Sequence, residues 1–101
     1  MNTVIYIAGK MSGLPDHGMA RFAEADAYLQ GLGGYTVLNP AVLPSGMPKE
    51  SYMPICMAMI DAADMVYALN NSDTSMGASV EIAYAKYQGK PIWYEQREDD
   101  V

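Results

Sequence analysis

Thr3-Val4-Ile5-Tyr6-Ile7-Ala8 constrains this chain more than any other segment. It is a mostly apolar run rich in β-branched side chains. A strand of that kind needs cover on both faces, as an inner strand of a parallel sheet has. It stops at Gly9-Lys10-Met11-Ser12-Gly13-Leu14-Pro15-Asp16, a loop by its glycine and proline content.

Three more strand-like segments follow, separated by helical ones. A helix is expected from about Gly18 to Gln30, with Phe22, Ala25 and Leu29 at helical spacing and Asp26 at the rim of that face. Gly31, Gly33 and Gly34 end it. Tyr35-Thr36-Val37-Leu38 reads as a second strand, closed by Asn39-Pro40. A loop from Ala41 to Glu50 leads to Ser51, a fair N-cap for a helix from Tyr52 to Ala63, with Pro54 in its first turn. Asp64 to Leu69 reads as a third strand and Asn70 to Ser75 as a polar turn. A last helix runs from about Met76 to Gln88 and stops at Gly89. Pro91-Ile92-Trp93-Tyr94 starts a fourth strand, and the mostly charged tail from Glu95 to Val101 is expected to be loose.

The order β-α-β-α-β-α-β predicts an α/β fold: a three-layer Rossmann-like or flavodoxin-like parallel sheet with helices on both faces. Ligands of such sheets sit beyond the carboxyl ends of the strands, near the point where strand order reverses. The loops after the first and third strands are therefore the first place to look. With 101 residues, 50% of them hydrophobic, the chain is read as one domain over residues 1–101.

Six basic residues against twelve acidic give a net charge of −6. That argues against a duplex nucleic acid partner, which needs a basic face. A small anion remains open, since a local cation and a helix N-terminus serve one. Cys56 is the one cysteine and His17 the one histidine, which argues against an internal disulfide and against a structural zinc site. With no basic leader and no long apolar stretch, the expected setting is the cytoplasm, away from membranes.

Glu81 is the most informative residue. On a helical wheel Gln88, Ala85, Ala78 and Tyr84 all fall within roughly 60° of it. The polar positions Ser79 and Lys86 fall on the far side of the same wheel. Glu81 thus points from the middle of a largely apolar arc toward the sheet. A buried carboxylate needs a partner or a purpose, because burial penalises its charge. Two readings remain open here: a carboxylate placed for chemistry, and an early-helix glutamate favoured by the helix dipole.

The loop Gly9 to Gly13 follows the first strand, where glycines let a backbone approach a ligand closely. Lys10 supplies a local cation there. The spacing is neither the dinucleotide nor the P-loop motif, so a plain tight loop is equally open. Ser75 before Met76-Gly77 reads as a helix cap, or, with nearby backbone N–H groups, as a phosphate holder. Cys56, among Met53, Ile55, Met57, Met59 and Ile60, reads as a small core residue. The nine methionines read as core filler and His17 as an exposed loop residue. Asp61 and Asp64 flank a helix-to-strand junction without an assigned role.

Three segments taken together resemble a known family: Val4 to Gly13, Leu38-Asn39-Pro40-Ala41, and Ser75-Met76-Gly77-Ala78-Ser79-Val80-Glu81-Ile82-Ala83-Tyr84-Ala85. They look like the nucleoside 2-deoxyribosyltransferase superfamily, in particular its small phage and prophage proteins with a DUF4406-type domain. The resemblance implies cleavage of the N-glycosidic bond of a nucleoside or nucleotide, with Glu81 as nucleophile and Tyr6 orienting it. It implies a substrate held by Gly9, Lys10, Met11, Ser12, Gly13, Asn39, Ser75 and Gly77. It further implies no metal or redox cofactor, and a homo-oligomer. Two positions depart from the family pattern. Cys56, eight residues before Asp64, stands where an aspartate assists the leaving base, and Ser12 stands where an arginine holds phosphate. An alternative stays open, a non-catalytic nucleotide-binding protein serving a phage as an accessory or counter-defence factor.

Overall fold

The structure is a computed structural model, and it describes residues 2–96. Four strands, β1 (Thr3–Ala8), β2 (Tyr35–Leu38), β3 (Met65–Ala68) and β4 (Ile92–Tyr94), form one parallel sheet in the order β2-β1-β3-β4. Three helices, α1 (Met19–Leu32), α2 (Lys49–Ala62) and α3 (Met76–Tyr87), connect them. This is the flavodoxin-like or Rossmann-like α/β architecture expected from the sequence. The strand order reverses between β1 and β3, which pair in the register Tyr6 to Val66 and Ala8 to Ala68.

The two faces of β1 feed two separate cores. Ile5 and Ile7 meet Phe22, Ala25 and Leu29 of α1, together with Tyr67 and Leu69. Tyr6 and Ala8 point the other way, toward Cys56 and Ile60 of α2, Val66, and Ala85 of α3. All six β1 positions except Thr3 and Val4 are fully buried. Each large apolar side chain buried this way contributes roughly 2–3 kcal/mol before conformational entropy is charged against it. Small side chains set how near α3 comes to the sheet. Ala8, Ala68, Ala78 and Ala85 are all buried, and they let the helix lie close enough for Glu81 to reach β1.

Several boundaries differ from the sequence expectation. Helix α2 starts at Lys49, with Pro48 at its N-cap and no side-chain cap, rather than after Ser51. Pro48 already holds an extended ψ of 141°, and Glu50 lies in the first turn, where the helix dipole favours an acid. Pro54 consequently falls in the second turn, on the exposed side, where a carbonyl left without its helical donor is open to water. Helix α1 runs through Gly31 and ends at Gly33, whose φ of 79° is the left-handed value that stops it. Strand β3 omits Asp64 and Leu69, β4 omits Pro91, and α3 stops one residue before Gln88. Short 3₁₀ turns at Pro40–Val42 and Ser72–Thr74 occupy the expected loops.

The methionines fill the margins of the core rather than its centre, with Met11 and Met65 packed against one core and Met59 against the other. None of those described is fully buried, and Met76 is 86% exposed. The core is filled instead by Ile, Val, Ala, Tyr, Phe and Leu. The tail is anchored at its first residue. Glu95 accepts hydrogen bonds from Arg21 and from the Asn70 N–H at 2.9 Å, while its own N–H donates to Ala68 O at 2.8 Å. The rest of that tail, residues 97–101, lies outside the described residues. His17 is exposed, as expected. No helix among the described residues is long and apolar enough to cross a membrane.

Candidate active site

Glu81 sits on the second turn of α3, with Tyr6 beneath it on β1. The Tyr6 hydroxyl donates to Glu81 Oε1 at 2.8 Å. Tyr6 is fully buried and Glu81 half-buried. The most buried positions of α3 are Ala78 and Ala85, so Glu81 lies at one edge of the buried arc rather than at its middle. That edge faces α2, and there the carboxylate also meets the thiol of Cys56.

The electrostatics follow from burial. Removal from water pushes the Glu81 carboxyl up to about 7, against an ordinary 4.5, while the hydrogen bond from Tyr6, and to a lesser degree the nearby Cys56 thiol, pull the other way. Burial, then the nearby Glu81 charge, drives the Tyr6 hydroxyl far above its usual range, so it stays a neutral donor. Burial also pushes the Cys56 thiol up. The cluster is therefore one carboxylate poised near neutrality, held by the neutral Tyr6 donor with the neutral Cys56 thiol nearby. By residue type Cys56 reads as a core residue, and only the family resemblance counts it to a site position. Burial at Cys56 and Ile60 marks that stripe as the inner face of α2, and neither spacing nor composition alone places the stripe against Glu81.

The other expected residues gather unevenly. Ser75 caps α3, its Oγ accepting from the Ala78 N–H at 3.2 Å. It lies ~9 Å from Glu81 along the helix axis. Gly77, between them, leaves ordinary contact space for a side chain beside Met53. The loop from Gly9 to Gly13 leaves the carboxyl end of β1 and is tied to the loop after β3, because the Lys10 N–H donates to Asn71 Oδ1 at 3.0 Å. Gly9 serves packing, since an added Cβ would come within 2.6 Å of Leu69 Cδ1. Gly13 has a φ of +84° with open space around it, so its conformation rather than its size calls for glycine. Met11 packs on the α1-side core, and Ser12 is exposed.

Asn39 is committed elsewhere. Its side chain accepts from the Ala41 N–H at 2.9 Å and donates to Asp26 Oδ2 at 3.1 Å, which locks the end of β2 to α1. The two unassigned aspartates have structural partners. Asp64 accepts from the Val4 N–H at 2.8 Å, and Asp61 accepts from the Tyr84 hydroxyl at 2.6 Å and from Gln88 at 2.8 Å. A separate cavity of about 260 Å³, lined by Glu24, Ala25, Tyr28, Tyr67 and Glu95, opens on the α1 face, opposite Glu81. Among the described residues no group of three His, Cys, Asp or Glu side chains is arranged to hold a metal.

Comparison with known proteins adds two findings. Residues 3–94 match the family described as "Domain of unknown function (DUF4406)". Among solved structures, the fold matches a 2-desoxiribosyltransferase from Leishmania mexicana with a TM-score of 0.73 and 25% sequence identity. The match covers 91% of this chain and 63% of that one, so this chain spans less than two thirds of the longer protein. No curated protein matches the sequence.

Proposed function

The chain belongs to the DUF4406 family, and from that premise we propose that it is an N-glycosidase that cleaves the base–sugar bond of a nucleoside or nucleotide. The observation that carries the reading is the Tyr6–Glu81 pair, a half-buried carboxylate fixed by a buried hydroxyl at the switch point of the sheet. The fold shared with a deoxyribosyltransferase supports it.

In this reading a Glu81 carboxylate oxygen attacks the anomeric carbon. A carbon–oxygen ester bond forms as the carbon–nitrogen bond breaks, and the base leaves with the bonding pair and takes up a proton. Water then attacks the ester, releasing the sugar and regenerating Glu81. Splitting one displacement into two lowers the barrier of each. Tyr6 holds the carboxylate in one orientation and stabilises its ionised form. The Gly9 to Gly13 loop, with Lys10, Met11 and Ser12, lines the sugar or phosphate end. Ser75 and Gly77 present the α3 N-terminus to an anion. Asn39 holds the end of β2 that borders this region. A second base could replace water as acceptor, which would make the reaction a transfer. The active form is a homo-oligomer in this proposal.

A second reading is a non-catalytic nucleotide-binding protein. The neutral Cys56 thiol beside Glu81 favours it, because the family's leaving-base carboxylate is counted to that position and a thiol of raised pKa is a weak acid catalyst.

The deciding experiment is chromatographic release of free base from a panel of ribo- and deoxynucleosides and their 5′-monophosphates. Release by the wild type and its loss in Glu81→Gln is the expected result. No release from any member, with retained binding of one of them, would establish the second reading.

A further inference from the structure

The cavity of about 260 Å³ on the α1 face plays no part in the proposed chemistry, and one of its lining groups lacks a partner. Tyr67 lines it from β3 and is only 4% exposed. Among the described residues its hydroxyl makes no hydrogen bond, whereas every fully enclosed polar side-chain atom has one. The hydroxyl therefore looks onto the cavity. The charges that reach it are those of Glu95, which lines the same cavity, and of Arg21, which pairs with Glu95. Burial, then the Glu95 charge, push this hydroxyl up to about 12, so at neutral pH it is an uncharged phenol. A buried phenol oxygen normally finds a partner, and this one is left with lone pairs to offer.

The rim of the cavity is acidic on balance. Glu24 and Glu95 both line it, and Arg21 pairs with both, with Glu24 at 3.5 Å. Two carboxylates against one guanidinium leave one negative charge in excess. The bonds made to these two carboxylates all fall on Oε1, which leaves Oε2 of each for a further donor. The walls are aromatic and stiff. The Tyr28 and Tyr67 ring centres stand 6.3 Å apart, and Trp93 meets Tyr67 edge-on at 4.8 Å, which keeps the Tyr67 ring from turning to another partner. Tyr28 is half exposed and presents ring surface at the mouth.

Aromatic faces and spare carboxylate oxygens around an unpartnered phenol suit a cation that carries N–H donors. We propose that this cavity binds a small primary ammonium with a short aliphatic body. The ammonium donates to the Tyr67 hydroxyl oxygen and to a rim carboxylate, its charge balances the excess of the rim, and its body lies on the Tyr28 ring. An anion is repelled by that excess charge, and a quaternary ammonium has no N–H to give Tyr67. The cavity and Glu81 lie on opposite faces of the sheet, so the proposal is independent of the glycosidase reading.

Trp93, the chain's one tryptophan, reports on the cavity through its contact with Tyr67. The test titrates its fluorescence with n-butylamine, in an amine-free buffer at neutral pH, with calorimetry alongside. So small a ligand is expected to bind with a Kd of about 1 mM. Two contrasts separate the contributions. n-Butanol has the same body without the charge, and tetramethylammonium has the charge without N–H donors; each is expected to bind about tenfold more weakly. Tyr67→Phe keeps the ring against Trp93 and removes only the hydroxyl. It is expected to lose about tenfold in affinity for n-butylamine, with a Tm no lower than that of the wild type. Glu24→Lys changes a side chain that is 77% exposed, reverses the charge of the rim and is expected to abolish binding with the fold intact. No response to n-butylamine up to about 50 mM overturns the proposal. So does binding that Tyr67→Phe and Glu24→Lys leave unchanged. Tetramethylammonium bound as tightly as n-butylamine overturns the assignment of a primary ammonium held by Tyr67.

Discussion

The Tyr6 hydroxyl and the Glu81 carboxylate meet at 2.8 Å across 75 positions of sequence. Neither residue is in an environment that suits it alone. A buried phenol needs a hydrogen-bond partner, and a half-buried carboxylate needs a donor to offset lost hydration. Each supplies what the other lacks, and the close approach of α3 over Ala8 and Ala68 makes the contact possible. The pair is thus fixed by packing within the fold itself.

Tyr6→Phe removes the donor while keeping most of the ring's volume. A hydrogen bond to a charged group contributes about 2 kcal/mol, so its loss moves the Glu81 carboxyl upward by roughly 1–2 pH units from about 7. If Glu81 acts as an ionised nucleophile, the rising limb of the pH–rate profile shifts alkaline by the same amount. Carbon-13 NMR of the glutamate side chains reads the shift directly. An unmoved Glu81 titration in the variant would show that the bond does not tune the carboxylate.

Much of this is legible in sequence, and the exceptions have identifiable physical causes. The β1 run announces a doubly covered strand, because continuous apolarity has no other cheap solution. Glu81 stands out because a charge interrupts the apolar arc of α3. What sequence does not show depends mostly on contacts between distant segments. By its apolar neighbours Cys56 looks like any core cysteine, and only the count back from Asp64 in the family pattern hints at the site, until α2 packs beside α3 and brings its thiol near Glu81. Glu95 looks like the start of a charged tail until Arg21, 74 residues away, meets it. The start of α2 escapes a sequence reading for a local reason. Ser51 is the better capping residue by type, but the helix begins where Pro48 bends the chain into it.

Lys90 holds the far end of α2. Its Nζ donates to the carbonyls of Ile60 at 2.6 Å, Asp61 at 2.9 Å and Ala63 at 2.7 Å, so one ammonium gathers three carbonyls at the helix end, of which Ile60 also accepts the Ala63 N–H. A cation there also complements the negative end of the helix dipole. Lys90→Met keeps the aliphatic stem and removes all three donors. The expected cost is about 1–2 kcal/mol in urea unfolding, with m unchanged. A variant as stable as the wild type would mean that water replaces the ammonium without loss.

Cys56 should be a slow thiol. It is 6% exposed, and burial holds its pKa above the usual cysteine range, so thiolate is scarce and access is poor. In the native protein its reaction with a disulfide reagent at neutral pH is expected to run at least roughly a hundredfold below that of the unfolded chain, limited by local opening. Equal rates in the presence and absence of denaturant would mean that α2 opens freely above Glu81.

Stability should fall as pH rises through the Glu81 titration. Below about pH 4 the carboxyl is protonated in both the folded and the unfolded chain and contributes no difference. Between 4.5 and about 7 the unfolded chain releases its proton while the folded chain retains it, so the folded state loses ground steadily. Above about 7 both are ionised and the loss is complete. The size of the upward displacement corresponds to about 3 kcal/mol. Glu81→Gln keeps an acceptor for Tyr6 and has no charge to bury. The variant should match the wild type near pH 4 and exceed it by about 3 kcal/mol at about pH 8. Urea unfolding of both proteins at the two pH values measures the difference. A constant difference between them would mean that Glu81 is ionised in the fold at no cost, and the poised carboxylate on which the proposed chemistry rests would be lost with it.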